Sequence, residues 1–458
     1  MKTRTLFRPV APVPPRIRGS RLEAIRGVLR SDFSHFPERA YRRGIYSVPV
    51  IRRRVHMPTG PDIVRRVLVE EQANFPKSRV MQRLLEPLIG QSMFLTNGSH
   101  WARQRRMVDP TLELSRLKAF LPLMQAAVDE MMDRLRMEVG KPVDIEQETM
   151  RVTADILCRT VFSEQVPNGF VDELSAAFRR YQALTPAFIG LEMAMLPRWC
   201  LPLHAIRARR EGQRIRSLLR PLISERIRAM AEGQHPEDLL SALVDAEDPE
   251  TGHRFTEEEL VDEVAFFFLA GHETTASALS WSFYLIANDR TAQALAAEEI
   301  AREIPGGKAD FSALRKLRYN RDIWREALRL YPPVTTYIRD VATACPLGNE
   351  SVETRDLVAV TPWLIQRSPR NWSHPELFDP DRFSTAKGKA SMRAAYVPFN
   401  TGPRVCSGAA FATQETLLIM AEVLGTFVIH PIEGREPEPV AWLTQRARNG
   451  IWLRLELR

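Results

Sequence analysis

Four stretches of the 458-residue chain repeat apolar positions at three- and four-residue spacing: 115–137, 170–183, 203–231 and 257–288. That period lays the apolar side chains along one face of an α-helix, so each stretch predicts a helix. Alternation with β-branched types is brief by comparison. Residues 46–55 predict a short strand pair, and strand-like pieces return at 352–362 and 438–456. Polar clusters bearing proline or glycine interrupt the pattern at 232–236 and 247–252. Residues 11–18 are proline-rich, which predicts an extended lead-in over 1–20. No internal repeat is visible. The pattern predicts a mainly α chain with a minor β part near each end.

With 44% hydrophobic and 26% charged residues, the chain can bury a large core and is not disordered. No run reaches the roughly 18 to 20 uninterrupted apolar residues of a membrane span. The first ten residues lack the apolar core of a signal peptide. The expectation is a soluble chain with no transmembrane anchor. Cys158, Cys200, Cys345 and Cys406 are widely spaced and form no Cys-x-x-Cys pair. That argues against a disulfide framework or a zinc site and fits a reducing cytoplasm. The net charge is +8, and residues 1–54 carry 14 Lys+Arg against 3 Asp+Glu, an excess of 11. Without interleaved aromatics, this excess reads as a solvated basic face rather than a nucleic-acid site.

Residues 399–408, Phe-Asn-Thr-Gly-Pro-Arg-Val-Cys-Ser-Gly, carry the strongest chemical signal. A lone cysteine among apolar neighbours is commonly an inert small hydrophobe. Here Gly402 and Gly408 allow the chain to curl around Cys406 and aim amides at the sulfur. Arg404 adds a charge that favours thiolate over thiol. A caged thiolate suits a soft or borderline metal, iron included. The helix expected over 257–288 contains Ala270-Gly-His-Glu-Thr-Thr275. Gly271 costs about 1 kcal/mol against alanine in a helix, and Glu273 and Thr274 fall in what should be core. On residues alone, Thr274 could bond the carbonyl four residues back and bend the helix. Glu326 and Arg329 share one helix face, a commonplace pair worth about 0.2–0.5 kcal/mol when exposed. Leu330-Tyr-Pro-Pro333 then stops that helix, and Pro380-Asp-Arg-Phe383 follows later.

The spacing of Phe399, Gly402, Arg404, Cys406 and Gly408 resembles the haem-binding signature of the cytochrome P450 family, and Ala412 extends the match. Trp101-x-x-x-Arg105, Ala270 to Thr275, Glu326-x-x-Arg329 and Pro380-Asp-Arg-Phe383 are similar to further family elements in the family's order. Asp381 stands where glutamate is commoner. The resemblance implies the cytochrome P450 fold, a two-lobed single domain over residues 1–458. Haem b would lie between the long central helix and the cysteine-loop helix, with Cys406 as the axial iron ligand that favours O–O cleavage. Thr274 would hydrogen-bond dioxygen in space left by Ala270 and Gly271, and Glu273 would belong to a proton relay. Phe399, Gly402, Arg404, Gly408 and Ala412 would cradle the cofactor. Trp101, Arg105, Arg339 and Arg404 would hold its propionates, although Trp101 alone also reads as a core aromatic. Glu326, Arg329 and Arg382 would form a buried triad behind the cysteine loop. No iron-ligand role falls to His272 and no propionate role to Gln366.

By position in the family, Phe94, Phe266, Phe267 and Ala270 would line a distal pocket with Val334, Thr335 and Thr336. Phe188, in the apolar stretch 185–202, would belong to a lid, or equally to a packed loop. Such a lining implies an apolar small-molecule substrate. No dinucleotide fingerprint, P-loop, flavin or iron–sulfur module is present in the sequence. Electrons would come from a separate donor, a ferredoxin with its reductase. Arg103, Arg106, Arg116, Lys118, Lys387, Lys389 and Arg393 form the candidate docking patch, set against a reading as scattered solvated charges. The function implied is a haem-thiolate monooxygenase that hydroxylates or epoxidises its substrate with O2. A peroxide-driven oxygenase or isomerase and a non-catalytic haem-binding sensor are the alternatives. The Glu273–Thr274 pair argues against the first; relay, lid and donor face together argue against the second.

Overall fold

The computed structural model of the chain describes residues 6–14, 33, 36–50, 53–163, 169–184, 202–441 and 443–458. Among them, eleven helices of ten residues or more dominate. They are α1 (Arg79–Ile89), α2 (Gly98–Val108), α3 (Leu114–Met137), α4 (Ile145–Phe162), α5 (Phe170–Ala183), α6 (Pro202–Ala231), α7 (Glu257–Ala287), α8 (Arg290–Glu303), α9 (Arg318–Leu330), α10 (Ala386–Ala395) and α11 (Ala409–Thr426). The four helices expected from periodicity are α3, α5, α6 and α7, each within a residue or so of its expected bounds.

The helix α7 is the axis of the molecule. Thr256 and Glu259 close its first turn with a reciprocal capping box, and Glu257, Glu258 and Glu259 lie where the helix dipole favours negative charge. Beyond that turn nearly every side chain is buried, as befits a helix that is apolar on all sides. It packs lengthwise on α4 and meets α6, α9 and α1 on its other faces.

The strands form a smaller part. The antiparallel pair β1 (Ile45–Val50) and β2 (Arg53–Pro58) joins β7 (Leu357–Val360), and β7 joins β4 (Tyr337–Asp340), in the order β1-β2-β7-β4. Elsewhere β3 (Pro142–Asp144) and β8 (Phe427–Pro431) flank β11 (Trp452–Leu457). Two hairpins complete the set: β5 (Cys345–Leu347) with β6 (Glu350–Val352), and β9 (Pro439–Ala441) with β10 (Gln445–Ala447). The strand-like signal at 352–362 ends in a helical turn, Pro362–Gln366, because Pro362 fits a helix N-terminus and removes a ladder donor.

A large apolar cluster fills the helical part, and a second one, including Val67, Leu68, Phe75, Val358 and Val397, lies under the four-stranded sheet. The lead-in is not loose where it is described. The Val10 amide donates to Tyr284 Oη at 3.2 Å, and Tyr331 Oη donates to the Val10 carbonyl at 2.6 Å. The Phe378 amide donates to the Phe7 carbonyl at 2.9 Å. Among the described residues, no helix is long and apolar enough to cross a membrane.

Candidate active site

Cys406 sits between a single 3-10 turn, Gly402–Arg404, and the start of α11. Its amide donates to the Phe399 carbonyl at 2.9 Å, and the Val405 amide donates to Gly402 O at 3.0 Å, which closes the loop on itself. Gly402 has φ +73, and a Cβ there would lie 2.7 Å from the Leu68 carbonyl oxygen, so only glycine fits. Gly408 differs from expectation. Its φ of −84 is ordinary, and its value lies in the close approach to the sulfur, since an added Cβ would stand 4.0 Å from Sγ. The cysteine is exposed on one side, yet the protein around its sulfur still pushes the thiol pKa up. The Gly408 amide and the Arg105 guanidinium act in the opposite direction. The charge that favours thiolate is thus Arg105, not Arg404 as the sequence had suggested.

Behind the loop, α9 presents a buried carboxylate. Arg329 Nε and Nη2 donate to Glu326 Oε2 and Oε1 at 2.7 and 2.8 Å. Arg382 Nε and the Asp379 amide donate to Oε1 at 2.9 and 3.0 Å. Burial alone would raise the Glu326 pKa, but Arg329 and Arg382 hold it below the usual carboxylate range. The spare guanidinium donors fix the carbonyls of Gln366, Pro375 and Leu377 on Arg329, and of Ser373, His374 and Leu377 on Arg382. Gln366 continues the chain of bonds: its Oε1 accepts the Val397 amide at 2.9 Å. Val397 lies two residues before Phe399, so the triad is tied to the cysteine loop.

On the other side cations gather, and three of them have no carboxylate partner among the described residues. Arg105 Nε pairs with Asp109 at 2.5 Å, and its Nη1 donates to Val405 O at 2.7 Å. Arg404 lies 5.4 Å from the Trp101 ring centroid and gives Nη2 to Asn97 Oδ1 at 3.0 Å. Its Nε and Nη1 are buried with no partner. Arg339 is 7% exposed, and burial together with Arg404 lowers its pKa to about 10. Lys77 stands 5.8 Å from the same Trp101 ring. Burial first, then Arg404 and Arg339, push its ammonium pKa well down. Among the described residues, no carboxylate forms an ion pair with Lys77, Arg339 or Arg404.

The polar stretch of α7 divides between two faces. A Cβ on Gly271 would meet Leu157 Cδ2 at 3.1 Å, so this glycine serves the close crossing with α4. Thr153 Oγ1 bonds the His272 carbonyl at 2.9 Å across that crossing. Thr274, half-buried, donates to the Ala270 carbonyl at 2.7 Å. Glu273 is 1% exposed and faces the C-terminal hairpin, where Arg446 and Thr444 donate to it, joined by Gln182 of α5. His272 is buried and bonds the Phe268 carbonyl through Nδ1, and it has no metal-binding company among the described residues. Phe94 stacks on Phe266 at 5.4 Å, and Phe266 lies 5.6 Å from Phe267. Val334, Thr335 and Thr336 are half-buried before β4. Phe188 and the rest of 185–201 lie outside the described residues.

The model of the family described as "Cytochrome P450" matches residues 25–448. The chain is a cytochrome P450. It is 30% identical over 399 residues to the cyclooctatin synthase of Streptomyces melanosporofaciens, covering 84% of this chain and 83% of that protein. It is also 30% identical over 386 residues to the cyclooctat-9-en-7-ol 5-monooxygenase of the same organism, covering 83% and 81%. Among solved structures, the haem domain of cytochrome P450DA superposes with a TM-score of 0.84 at 22% identity, over 98% of this chain and 99% of that one. This P450 therefore has the two-part, mainly α fold that the sequence predicted, and it is an oxidoreductase of the monooxygenase type.

Members of the family carry haem iron on a cysteine thiolate, and the residues present fit that group. Three cations without carboxylates, and two buried Arg404 nitrogens without partners, suit a ligand bearing carboxylates, as haem's propionates are. Sequence reasoning missed four residues that contact the candidate site: Lys77, Gln182, Thr444 and Arg446. None lies in a recognisable motif, and each reaches the site only through a tertiary contact. The candidate docking patch also shrinks. Arg103 is paired with Glu259, and Arg106 with Asp248 at 2.6 Å and Glu250 at 3.1 Å. Arg116, Lys118, Lys387, Lys389 and Arg393 remain exposed.

Proposed function

We propose that the chain, read as one domain over 1–458, is a haem b monooxygenase with Cys406 as the axial ligand. It would insert one oxygen atom of O2 into an apolar small molecule by hydroxylation or epoxidation. The observation that carries this is the glycine-caged Cys406 beside a cluster of cations that lack carboxylates. Bound haem supplies an iron centre for O2 chemistry, to which the thiolate donates electron density. The chain's own part is to hold, orient and protonate. Arg339, Arg404 and Lys77 would neutralise the propionates, with the Trp101 ring beside Arg404 and with Arg105 anchoring the loop through Val405 O. The triad keeps that loop in register.

Thr274 is the distal alcohol. Its hydroxyl now donates to the Ala270 carbonyl, a bond worth about 0.5–1.5 kcal/mol net, so turning it toward the pocket costs little. Glu273 is the acid behind it, held by Arg446, Thr444 and Gln182, and it passes a proton only by parting from one of these donors. Phe94, Phe266 and Phe267 keep water out of the space above. The relatives support an apolar substrate: one is named for cyclooctat-9-en-7-ol, an unsaturated alcohol. Electrons come from a separate protein, a ferredoxin with its reductase, meeting the exposed cations of α3 and α10. The described cysteines Cys158, Cys345 and Cys406 are free thiols, which supports a reducing cytoplasm.

The test is a pair of measurements. Reduced, carbon-monoxide-treated protein should give the red-shifted thiolate band, and its absence would remove the assignment. With that band present, Thr274→Ala should lower product formed per electron and raise hydrogen peroxide release. Unchanged coupling would strike out the relay, and turnover by peroxide alone at the donor-driven rate would favour the peroxide-driven reading.

A further inference from the structure

Met93 lies between α1 and α2, and its two peptide groups are gripped from opposite sides. Glu263 Oε1, on α7, accepts the Met93 amide at 2.7 Å. Lys77 Nζ donates to the Met93 carbonyl at 2.5 Å. Other bonds hold the flanks only: Gln104 Nε2 to Gln91 O at 2.7 Å and Gln82 Nε2 to Leu95 O at 2.9 Å. The next residue, Phe94, is 40% exposed and stacks on Phe266, three positions along α7 from Glu263. Glu263 itself is fully buried, and its Oε2 has no partner. Lys77 belongs at its other side to the cation cluster, against the Trp101 ring that also carries Arg404.

We propose that Lys77 and Glu263 are positioning residues that tie the pocket aromatic Phe94 to the cofactor's carboxylates, with the peptide groups of Met93 as the link. The inference rests on the haem reading above. Burial first, and then Arg404, Arg339 and Arg105 with only Glu263 to offset them, disfavour the ammonium form of Lys77. Glu263 faces Asp262, Glu259 and Lys77, and burial pushes its pKa to about 8. Two carboxylates bound at Arg339 and Arg404 would offset those cations and so favour the ammonium form of Lys77. A charged Lys77 in turn draws Glu263 toward carboxylate. Both grips on Met93 then become charge-assisted hydrogen bonds, roughly twice as strong as neutral ones. Loading the cofactor thereby fixes Phe94 against Phe266, and the shape of the pocket depends on the far end of the haem.

Hydrogen exchange of the Met93 amide, in apo and haem-loaded protein, reads the link directly. Loading should slow exchange by about tenfold or more in the parent protein, as one added local constraint does. Lys77→Met should abolish that slowing in the fraction of protein that shows the carbon-monoxide thiolate band. Glu263→Leu should do the same, and Glu263→Gln, whose amide oxygen still accepts the Met93 N–H but cannot become a carboxylate, should keep only part of it. The two variants that lose the slowing should also bind apolar ligands several-fold more weakly, seen in the haem spin-state titration. Equal slowing in the parent and Lys77→Met, both with the band intact, would overturn the link. A missing band in the parent protein would instead remove the haem reading on which it stands.

Discussion

A methyl group on Gly402 would press within 2.7 Å of the Leu68 carbonyl while holding φ at +73. Gly402→Ala should therefore cost about 1–3 kcal/mol and lower haem retention, measured by unfolding midpoint and by cofactor content after gel filtration. Full retention would show that the loop can relax. His272 offers a test in pH. Burial lowers its pKa from 6.5 to about 4, so between those values the unfolded chain binds the extra proton. Stability from this group is present above pH 6.5 and is lost as the pH falls toward 4, by about 3 kcal/mol. Denaturant unfolding from pH 7 to 4 should show a shallower loss in His272→Gln than in the parent. At this scale the motif residues were legible because each is a type with few substitutes. Arg404 was read only in part. Its charge was plain in the sequence, but whether it served the sulfur or a buried anion site depended on the Trp101 ring beneath it.

Between elements, the decisive contacts are the crossing of α4 with α7 and the triad on α9. Gly271 was expected to make room for oxygen, and the structure shows that it also lets Leu157 close on the helix. No periodicity could tell the two apart, because a glycine marks close approach without naming what approaches. The triad was different: Glu326, Arg329 and Arg382 met as expected, and their carbonyl partners explain why the order of the motifs matters. Glu326→Ala leaves Arg329 and Arg382 buried without a counter-charge, which should cost about 3–5 kcal/mol. The loss should appear as expressed protein that denatures early and binds haem poorly. A variant as stable as the parent would deny the triad its supporting role. Helix α10 escaped the periodicity altogether, since alanine, glycine and lysine give it little apolar contrast.

For the whole molecule, the sequence carried the fold class, the central helix and the cysteine loop. It did not carry the partners of Glu273, since Gln182 and Arg446 lie 91 and 173 residues away in the chain. Nor could it separate surface cations from paired ones, which removed Arg103 and Arg106 from the docking patch. The remaining exposed set makes its own test. Lys389→Glu with Arg393→Glu should slow reduction by an acidic ferredoxin several-fold at low salt and flatten its salt dependence. Unchanged rates at low salt would move the docking surface elsewhere.

The segment from Phe7 to Val10 has one more implication. Its hydrogen-bond partners lie far downstream: Tyr284 is 274 residues on, and Tyr331 is 321. Phe378, the third, adjoins the Leu377 carbonyl that Arg329 and Arg382 both hold. During synthesis this segment must stay undocked until most of the chain has left the ribosome, and its hydrogen-bond partners wait for as long. The protein thus seals an early-made segment against a part made much later, and bulk added ahead of Phe7 would be felt in maturation before it was felt in catalysis.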